Sequence, residues 1–449
     1  MDRRHQTWAT SERFVPQRFV RPFVRFTRIE AASGIVLLAA AIVAIVWANS
    51  RWSATYFQIL ETPLLIDFGP FHFDEDFQHV INDGLMAIFF FVVGLEIKRQ
   101  VVHGELSDRK TAALPVMAAI GGMIFPALIY IWINLDAGEA AIRGWGVPMA
   151  TDIAFAVGVL ALLGSRIPSG ARLFLLTLAI ADDIGAITVI AIFYTEDLNL
   201  GYLGLAVAGL FLAAVATRVG IRSLAFYVPL GVIVWYLTFE SGVHATLAGV
   251  ALGFLTPARP MYPSNEFDRR ARAILDSFPD EPDTQEGREH ADHEALLLSE
   301  ISSEAVAPLS RLEHRLQTWS SFVVIPLFAL ANAGVDFRGV DIGAALTSTV
   351  AMGVIAGLVL GKTIGICLLS FITVRTGLGR LPDGTSWLHV VGLSIVSGIG
   401  FTVALFIAGL AFDDRALNDL AKVGIFAGSL LAGALGSAVL LRARSVGRT

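Results

Sequence analysis

Two adjacent acids, Asp182 and Asp183, sit at the middle of Leu173–Tyr194, LFLLTLAIADDIGAITVIAIFY. The stretch is long and apolar enough to cross a bilayer as a helix. An ionised carboxylate at that depth costs on the order of 3 kcal/mol on the mildest scales, and two side by side repel. A helix kept only for anchorage would not carry them. A structural explanation would protonate one acid and turn the other to water, and for an adjacent pair both must be explained away. Successive helix residues point about 100° apart, so the two carboxylates cannot face the same neighbour. One can face a cavity while the other meets a partner on another helix. The pair therefore has two roles, rather than one duplicated role.

Few other charges fall inside apolar segments. Lys362, in IAGLVLGKTIGICLL, is the one base deep in such a run. A lone buried lysine loses its proton or recruits a carboxylate, and pairing with an acid of the Asp182–Asp183 segment is the cheaper arrangement. Gly357, Gly361 and Gly365 give its segment a small face for close helix approach. Asp152 lies in VPMATDIAFAVGVLALLG, with Pro148 near the start and Gly158 inside. Glu96, Lys98 and Arg99 close an earlier apolar run that has Asp83 near its other end. His244, in ESGVHATLAGV, either titrates near neutrality or is a capped structural histidine, and the second reading is favoured.

These residues need a membrane bundle to hold them. The chain has 449 residues, 55% hydrophobic and 16% charged, with a mean hydropathy of +0.66. Soluble domains carry about a quarter charged residues. The fold class is therefore an all-α polytopic membrane protein. Twelve transmembrane helices are expected, at 29–49, 79–101, 111–135, 148–164, 173–194, 200–218, 223–240, 242–256, 318–335, 347–373, 387–412 and 420–441. Most of the 33 lysines and arginines fall in alternate connecting segments. Only Arg51, Arg143, Arg338, Arg415 and Lys422 fall in the others. The positive-inside rule then puts both termini in the cytoplasm. The single cysteine, Cys367, excludes an internal disulfide framework and reads as packing, and no cleavable signal peptide is evident.

Residues 1–28 and 442–449 are expected as cytoplasmic tails flanking a 29–441 transmembrane domain. Between the first two spans, Gly69-Pro70 punctuates two runs with some alternation near 62–76, which fits a small external hairpin or an ordinary loop. The 257–317 segment carries twelve acids against four arginines between Glu266 and Glu304. It reads as a largely disordered cytoplasmic loop, with a short amphipathic helix before Trp319. Two spans look interrupted: 148–164 by PMATD, and 387–412 by Ser397, Gly398, Gly400 and Thr402. Interrupted spans beside buried charges fit broken helices at a midplane site. Asp152 can offset the positive ends of such half-helices and Lys362 the negative ends.

Eight runs resemble the NhaA-type sodium/proton antiporters: NDGLMAIFFFVVGLEIKR (82–99), PMATDIAFAVGVLALLGSRIP (148–168), LAIADDIGAI (178–187), SGVHATLAGV (241–250), RLEH (311–314), PLFALANAGV (326–335), GKTIGI (361–366) and SGIGFTVALFIAGLAF (397–412). The resemblance covers most of 29–441 in order. It implies inverted repeats, with two broken helices crossing near the midplane. It implies that Asp183, with Asp182, binds Na⁺ or protons, that Lys362 pairs with Asp182, and that Thr151 and Asp152 belong to the crossing. It implies a homodimer formed through the hairpin near 62–76. It also implies extrusion of Na⁺ or Li⁺ in exchange for external protons, with activation at alkaline pH. Glu96, Glu313 and His314 match the family's cytoplasmic pH-response cluster. Gln100 and Gln317 stand where an acid and a histidine are expected, which leaves the pH profile in question, and GKTIGI departs from GKPLGI.

The expected function is secondary active transport in the bacterial cytoplasmic membrane, one cation out and protons in. Asp183, Asp182, the Thr151 hydroxyl and freed backbone carbonyls offer the oxygen ligands a hard cation wants. Competition of protons and Na⁺ for one carboxylate couples the flows. Two titratable groups would make the exchange electrogenic, the second proton riding on Asp182 or on Lys362. No catalytic residue, resident cofactor or nucleic-acid partner is expected. The alternative is a proton- or sodium-coupled symporter of a small organic anion, for which Lys362 is the one buried base. A cation channel is less consistent, since channels present rings of acids around an axis.

Overall fold

The computed structural model describes residues 32–443 except 69–70, 196–197, 279–283 and 339–340. The tail expected at 1–28 and nearly all of that at 442–449 lie outside the described residues. The protein is an all-α polytopic membrane protein with one small hairpin. In order, its first elements are α1 (Ala32–Ala48), α2 (Ser53–Leu60), β1 (Pro63–Phe68), β2 (Phe71–Asp76), α3 (Phe77–His103), α4 (Arg109–Asn134), α5 (Glu139–Met149), α6 (Ile153–Leu163) and α7 (Ser169–Phe193). Next come α8 (Leu200–Val219), α9 (Leu224–Glu240), α10 (Thr246–Leu255), α11 (Ser264–Asp276), α12 (Gln285–Glu304), α13 (Pro308–Trp319) and α14 (Ile325–Asn332). The last are α15 (Ile342–Leu346), α16 (Thr349–Arg375), α17 (Trp387–Val396), α18 (Phe401–Ala411) and α19 (Arg415–Arg442).

Among the described residues, six helices are long and apolar enough to cross a membrane alone: α3, α4, α7, α8, α16 and α19. Three further pairs qualify together but bend at a short break: α1/α2 by 115°, α5/α6 by 43° and α17/α18 by 47°. The last two breaks fall where the sequence is interrupted by PMATD and by SGIG. The chain folds this way locally because proline and glycine weaken a helix that apolar residues otherwise propagate. The segment expected to span 242–256 is helical only over Thr246–Leu255, about 15 Å of rise, or half a hydrocarbon core. A turn with Gly242 at φ 78° takes up its start, a conformation that favours glycine.

The hairpin is present. β1 and β2 pair antiparallel, Pro63 opposite Asp76 and Asp67 opposite His72. In the 257–317 segment the amphipathic helix expected before Trp319 is α13, but α11 and α12 correct the expectation that the rest is largely disordered. Its charge is arranged at helical spacing: Arg270 lies 2.7 Å from Glu266 and Arg272 lies 3.0 Å from Asp268, each four residues apart. Thr284 caps α12 by accepting from the Gly287 amide. At the other end of α12, Glu304 meets Arg222 at 2.5 Å and its carbonyl accepts from the Met261 amide.

The helix carrying Asp182 and Asp183, α7, is the most enclosed of the six long apolar helices, whereas α8 turns most of its surface outward. The tightest packing is between α4 and α16. A Cβ on Gly121 would lie 2.2 Å from the Gly365 carbonyl oxygen, and one on Gly365 would lie 2.0 Å from that of Gly121. Only paired glycines let the two backbones approach so closely. This contact holds the lysine-bearing helix against the bundle.

Candidate functional site

The α5/α6 and α17/α18 breaks touch each other. The Asp152 amide donates to the Ile399 carbonyl at 2.7 Å, joining residues almost 250 apart in the chain. The Asp152 carboxylate closes both N-termini at the junction. Its Oδ1 accepts from the Phe155 amide at 3.0 Å, in the first turn of α6. Its Oδ2 accepts from the Thr402 amide at 3.1 Å and the Thr402 hydroxyl at 2.6 Å, at the start of α18. One carboxylate thus faces the positive ends of two helices, the placement that helix dipoles favour. Asp152 is 2% exposed and has partners for both oxygens.

Lys362 and Thr151 lie on the other side of this junction. Lys362 is fully buried, and its Nζ lies 2.5 Å from Asp182 Oδ2 and 2.9 Å from Thr151 Oγ1. Thr151 Oγ1 is 2.8 Å from both Asp182 Oδ2 and the Ser397 carbonyl, just beyond the C-terminus of α17. A hydroxyl has one proton. While it accepts from Lys362, Thr151 can donate to Asp182 or to Ser397 but not to both. The lysine therefore has a link to the negative end of α17 only through Thr151, and only when that hydroxyl donates to Ser397.

Asp182 and Asp183 are in different positions, as a helix requires of neighbours. Asp182 Oδ2 is committed to Lys362 and Thr151, while its buried Oδ1 has no hydrogen-bond partner among the described residues. Asp183 is 5% exposed and forms no side-chain hydrogen bond among the described residues. A buried carboxylate without a partner is costly as a bare anion. Among the described residues no three His, Cys, Asp or Glu side chains converge into a metal cage. A cation here would rely on one or two carboxylates with neutral oxygens, a donor set suited to a hard, weakly held ion.

The expected pH-response residues are only partly assembled. Arg99 Nε lies 2.8 Å from Glu313 Oε1, tying α3 to α13. Glu96 is one turn before Arg99 on α3 and is half-buried. His314 is exposed, without a hydrogen bond or ion pair among the described residues. Gln100 turns back to its own helix end, where its Oε1 accepts from the Glu105 amide, and Gln317 is exposed. His244 lies with Nε2 2.5 Å from the Tyr194 carbonyl, so the ring donates there, as a structural histidine does.

Other features are excluded as ion sites. A cleft of 1190 Å³, lined in part by Tyr56, Leu85, Tyr227 and Trp235, is overwhelmingly apolar and contains none of these acids. Outside the membrane, Arg338 lies 2.7 Å from Asp336 and its hydrogen bonds hold that carboxyl down at about 2. Asp336 therefore stays ionised and carries no proton at working pH. Thr402 and the Ser397 and Ile399 carbonyls were not singled out as site residues from sequence. Their signal was the hydroxyls set among glycines in the 387–412 interruption, which also reads as packing.

A family model described as Na⁺/H⁺ antiporter 1 matches residues 24–440. The Na(+)/H(+) antiporter NhaA of Rhodopirellula baltica is 47% identical over 424 residues, covering 94% of this chain and 94% of that protein. That of Koribacter versatilis is 46% identical over 429 residues, with 95% and 93% covered. That of Mesorhizobium japonicum is 46% identical over 432 residues, with 96% and 97% covered. The chain belongs to the Na⁺/H⁺ antiporter 1 family.

Proposed function

We propose that the protein is a transporter, not an enzyme, that exports Na⁺ or Li⁺ in exchange for external protons and so contributes to sodium and pH homeostasis. The observation that carries this reading is the contrast between the two acids. Asp182 is paired with Lys362 at 2.5 Å, and Asp183, next in sequence, is buried without a hydrogen-bond partner among the described residues. Asp183 is the site where a proton and Na⁺ exclude one another. Asp182, the Thr151 hydroxyl and the Ser397 carbonyl, gathered beside Lys362, are the further oxygens assigned to the cation. Asp152 and Lys362 compensate the helix ends at the crossing. The carrier reorients only when Asp183 is neutralised, and that restriction couples the two flows. The exchange is electrogenic, with a second proton on Asp182 or Lys362.

On this reading the chain sits in the bacterial cytoplasmic membrane, with twelve spans in inverted repeats and both termini inside. The α5/α6 and α17/α18 pairs are its two broken spans. The β1–β2 hairpin joins two copies as a homodimer, and Glu96, Glu313 and His314 set the pH response. Support comes from the relatives named above as Na(+)/H(+) antiporters and from the two bent helix pairs meeting at Asp152. In everted vesicles, adding Na⁺ or Li⁺ should release protons, while K⁺ or a small organic anion should not. Asp183→Asn should insert normally and abolish the response. Parental exchange in that variant would remove Asp183 as the carrier site.

A further inference from the structure

Residues 357–361 are wound as a π turn inside α16. The Lys362 amide donates to the Gly357 carbonyl, five residues back rather than four. A π turn holds one residue more than an α turn. The part of the helix beyond the turn is rotated by about 100° relative to an uninterrupted helix. Its first residue is Lys362.

Both sides of this turn are locked to neighbours. On the leading side, a Cβ on Gly357 would lie 2.6 Å from Pro148 Cβ in α5, and one on Gly424 of α19 would lie 2.8 Å from the Ala351 carbonyl oxygen. On the trailing side stands the Gly121–Gly365 contact with α4. Within the turn, a Cβ on Gly361 would lie 2.6 Å from Pro126 Cα, and one on Gly398 would lie 2.2 Å from the Leu358 carbonyl oxygen. Neither half of the helix can rotate without breaking a close backbone contact. The number of residues between the two locks therefore sets the direction of Lys362. Leu358 of the turn is buried in the core, while Leu360 is 55% exposed on its outer side.

We propose that the π turn Gly357–Gly361 is the positioning device for Lys362. It supplies the one-residue offset that lets α16 pack on Pro148 and on Gly121 together while aiming the ammonium at Asp182 and Thr151. Gly361 and Gly398 act through it as positioning residues. The proposal rests on the transport reading only for its effect on exchange. The geometry of the pair is read separately.

The test is a set of thermal melts of the full-length protein in detergent. Deleting Leu360 restores an α-helical count, and Leu360→Ala keeps the π count. In the parental and Leu360→Ala backgrounds, Lys362→Ala should lower Tm, and adding Asp182→Asn should recover part of the loss. In the deletion background, Lys362→Ala should cost less than half the parental shift, with no recovery from Asp182→Asn. The same coupling in the deletion as in the parent would overturn the proposal. If the deletion does not insert, Gly361→Ala, which drives a methyl into Pro126, decides instead. It should at least halve the coupling, and full coupling would overturn the proposal. Lost coupling with parental Na⁺-driven exchange would leave the positioning role standing and remove the pair from the transport reading.

Discussion

Thr402 meets Asp152 twice, through its amide at 3.1 Å and its hydroxyl at 2.6 Å, both on Oδ2. The other carboxylate oxygen caps α6 through Phe155. Asp152→Asn leaves a single acceptor oxygen for two helix ends, so one end must lose its cap. We expect a loss of about 1–3 kcal/mol of stability. Thr402→Val keeps the amide bond and should cost about 1 kcal/mol. Thermal melts of the two variants should rank in that order. Equal, negligible shifts would mean that water serves these ends.

Lys362→Ala leaves Asp182 buried without its cation. Removing one partner of a buried pair costs about 3–5 kcal/mol. Lys362→Ala combined with Asp182→Asn should be more stable than Lys362→Ala alone, because the uncompensated charge is gone. Losses that simply add would show that no pair exists in the working protein.

Thr151→Val removes the hydroxyl that joins Lys362, Asp182 and the Ser397 carbonyl. The shape is retained and one oxygen is lost. If that oxygen helps to bind Na⁺, the apparent KM for Na⁺ should rise about tenfold, the equivalent of one hydrogen bond or ligand at about 1.4 kcal/mol, with a smaller change in maximal rate. A lower rate at unchanged KM would assign Thr151 to reorientation instead.

Replacing residues 264–299 with a short flexible linker removes α11 and most of α12 but keeps the Arg222–Glu304 contact. Among the described residues of 264–299 only Glu294 is buried, so basal Na⁺-driven proton release should persist. A correctly inserted but inactive protein would make these helices part of the transport machine.

Much of this arrangement was legible in the sequence because charge in an apolar run has few places to go. Asp152, Asp182, Asp183 and Lys362 stood out by type alone, and a lone buried base required an acid. Gly69-Pro70 fits a hairpin and an ordinary loop equally well in sequence, and the pairing of β1 with β2 decides for the hairpin. The helix ending at Trp319 is visible as an amphipathic run, whereas α11 and α12 are hidden by their charge-rich composition, although the Glu266–Arg270 and Asp268–Arg272 pairs sit four residues apart, a helical spacing. The dual cap on Asp152 and the π turn before Lys362 could not be read locally. Both depend on which distant backbone lies beside them, and a glycine looks the same whether it serves a bulge or a contact.

On the proposed function, protons and Na⁺ compete at Asp183. Its most direct test is the pH profile of Na⁺-driven proton release in everted vesicles, repeated at several Na⁺ concentrations. Competition predicts that apparent Na⁺ affinity falls tenfold for each unit of acidification and each proton displaced, below the pH at which the site has lost its protons. The midpoint of the profile should then move to more acidic pH as Na⁺ rises, and saturating Na⁺ should restore full exchange under mildly acidic conditions. A midpoint that stays fixed over a severalfold rise in Na⁺ would rule out competition at Asp183 as the control. It would place control in a separate gate, with Glu96, Glu313 and His314 the first residues to substitute.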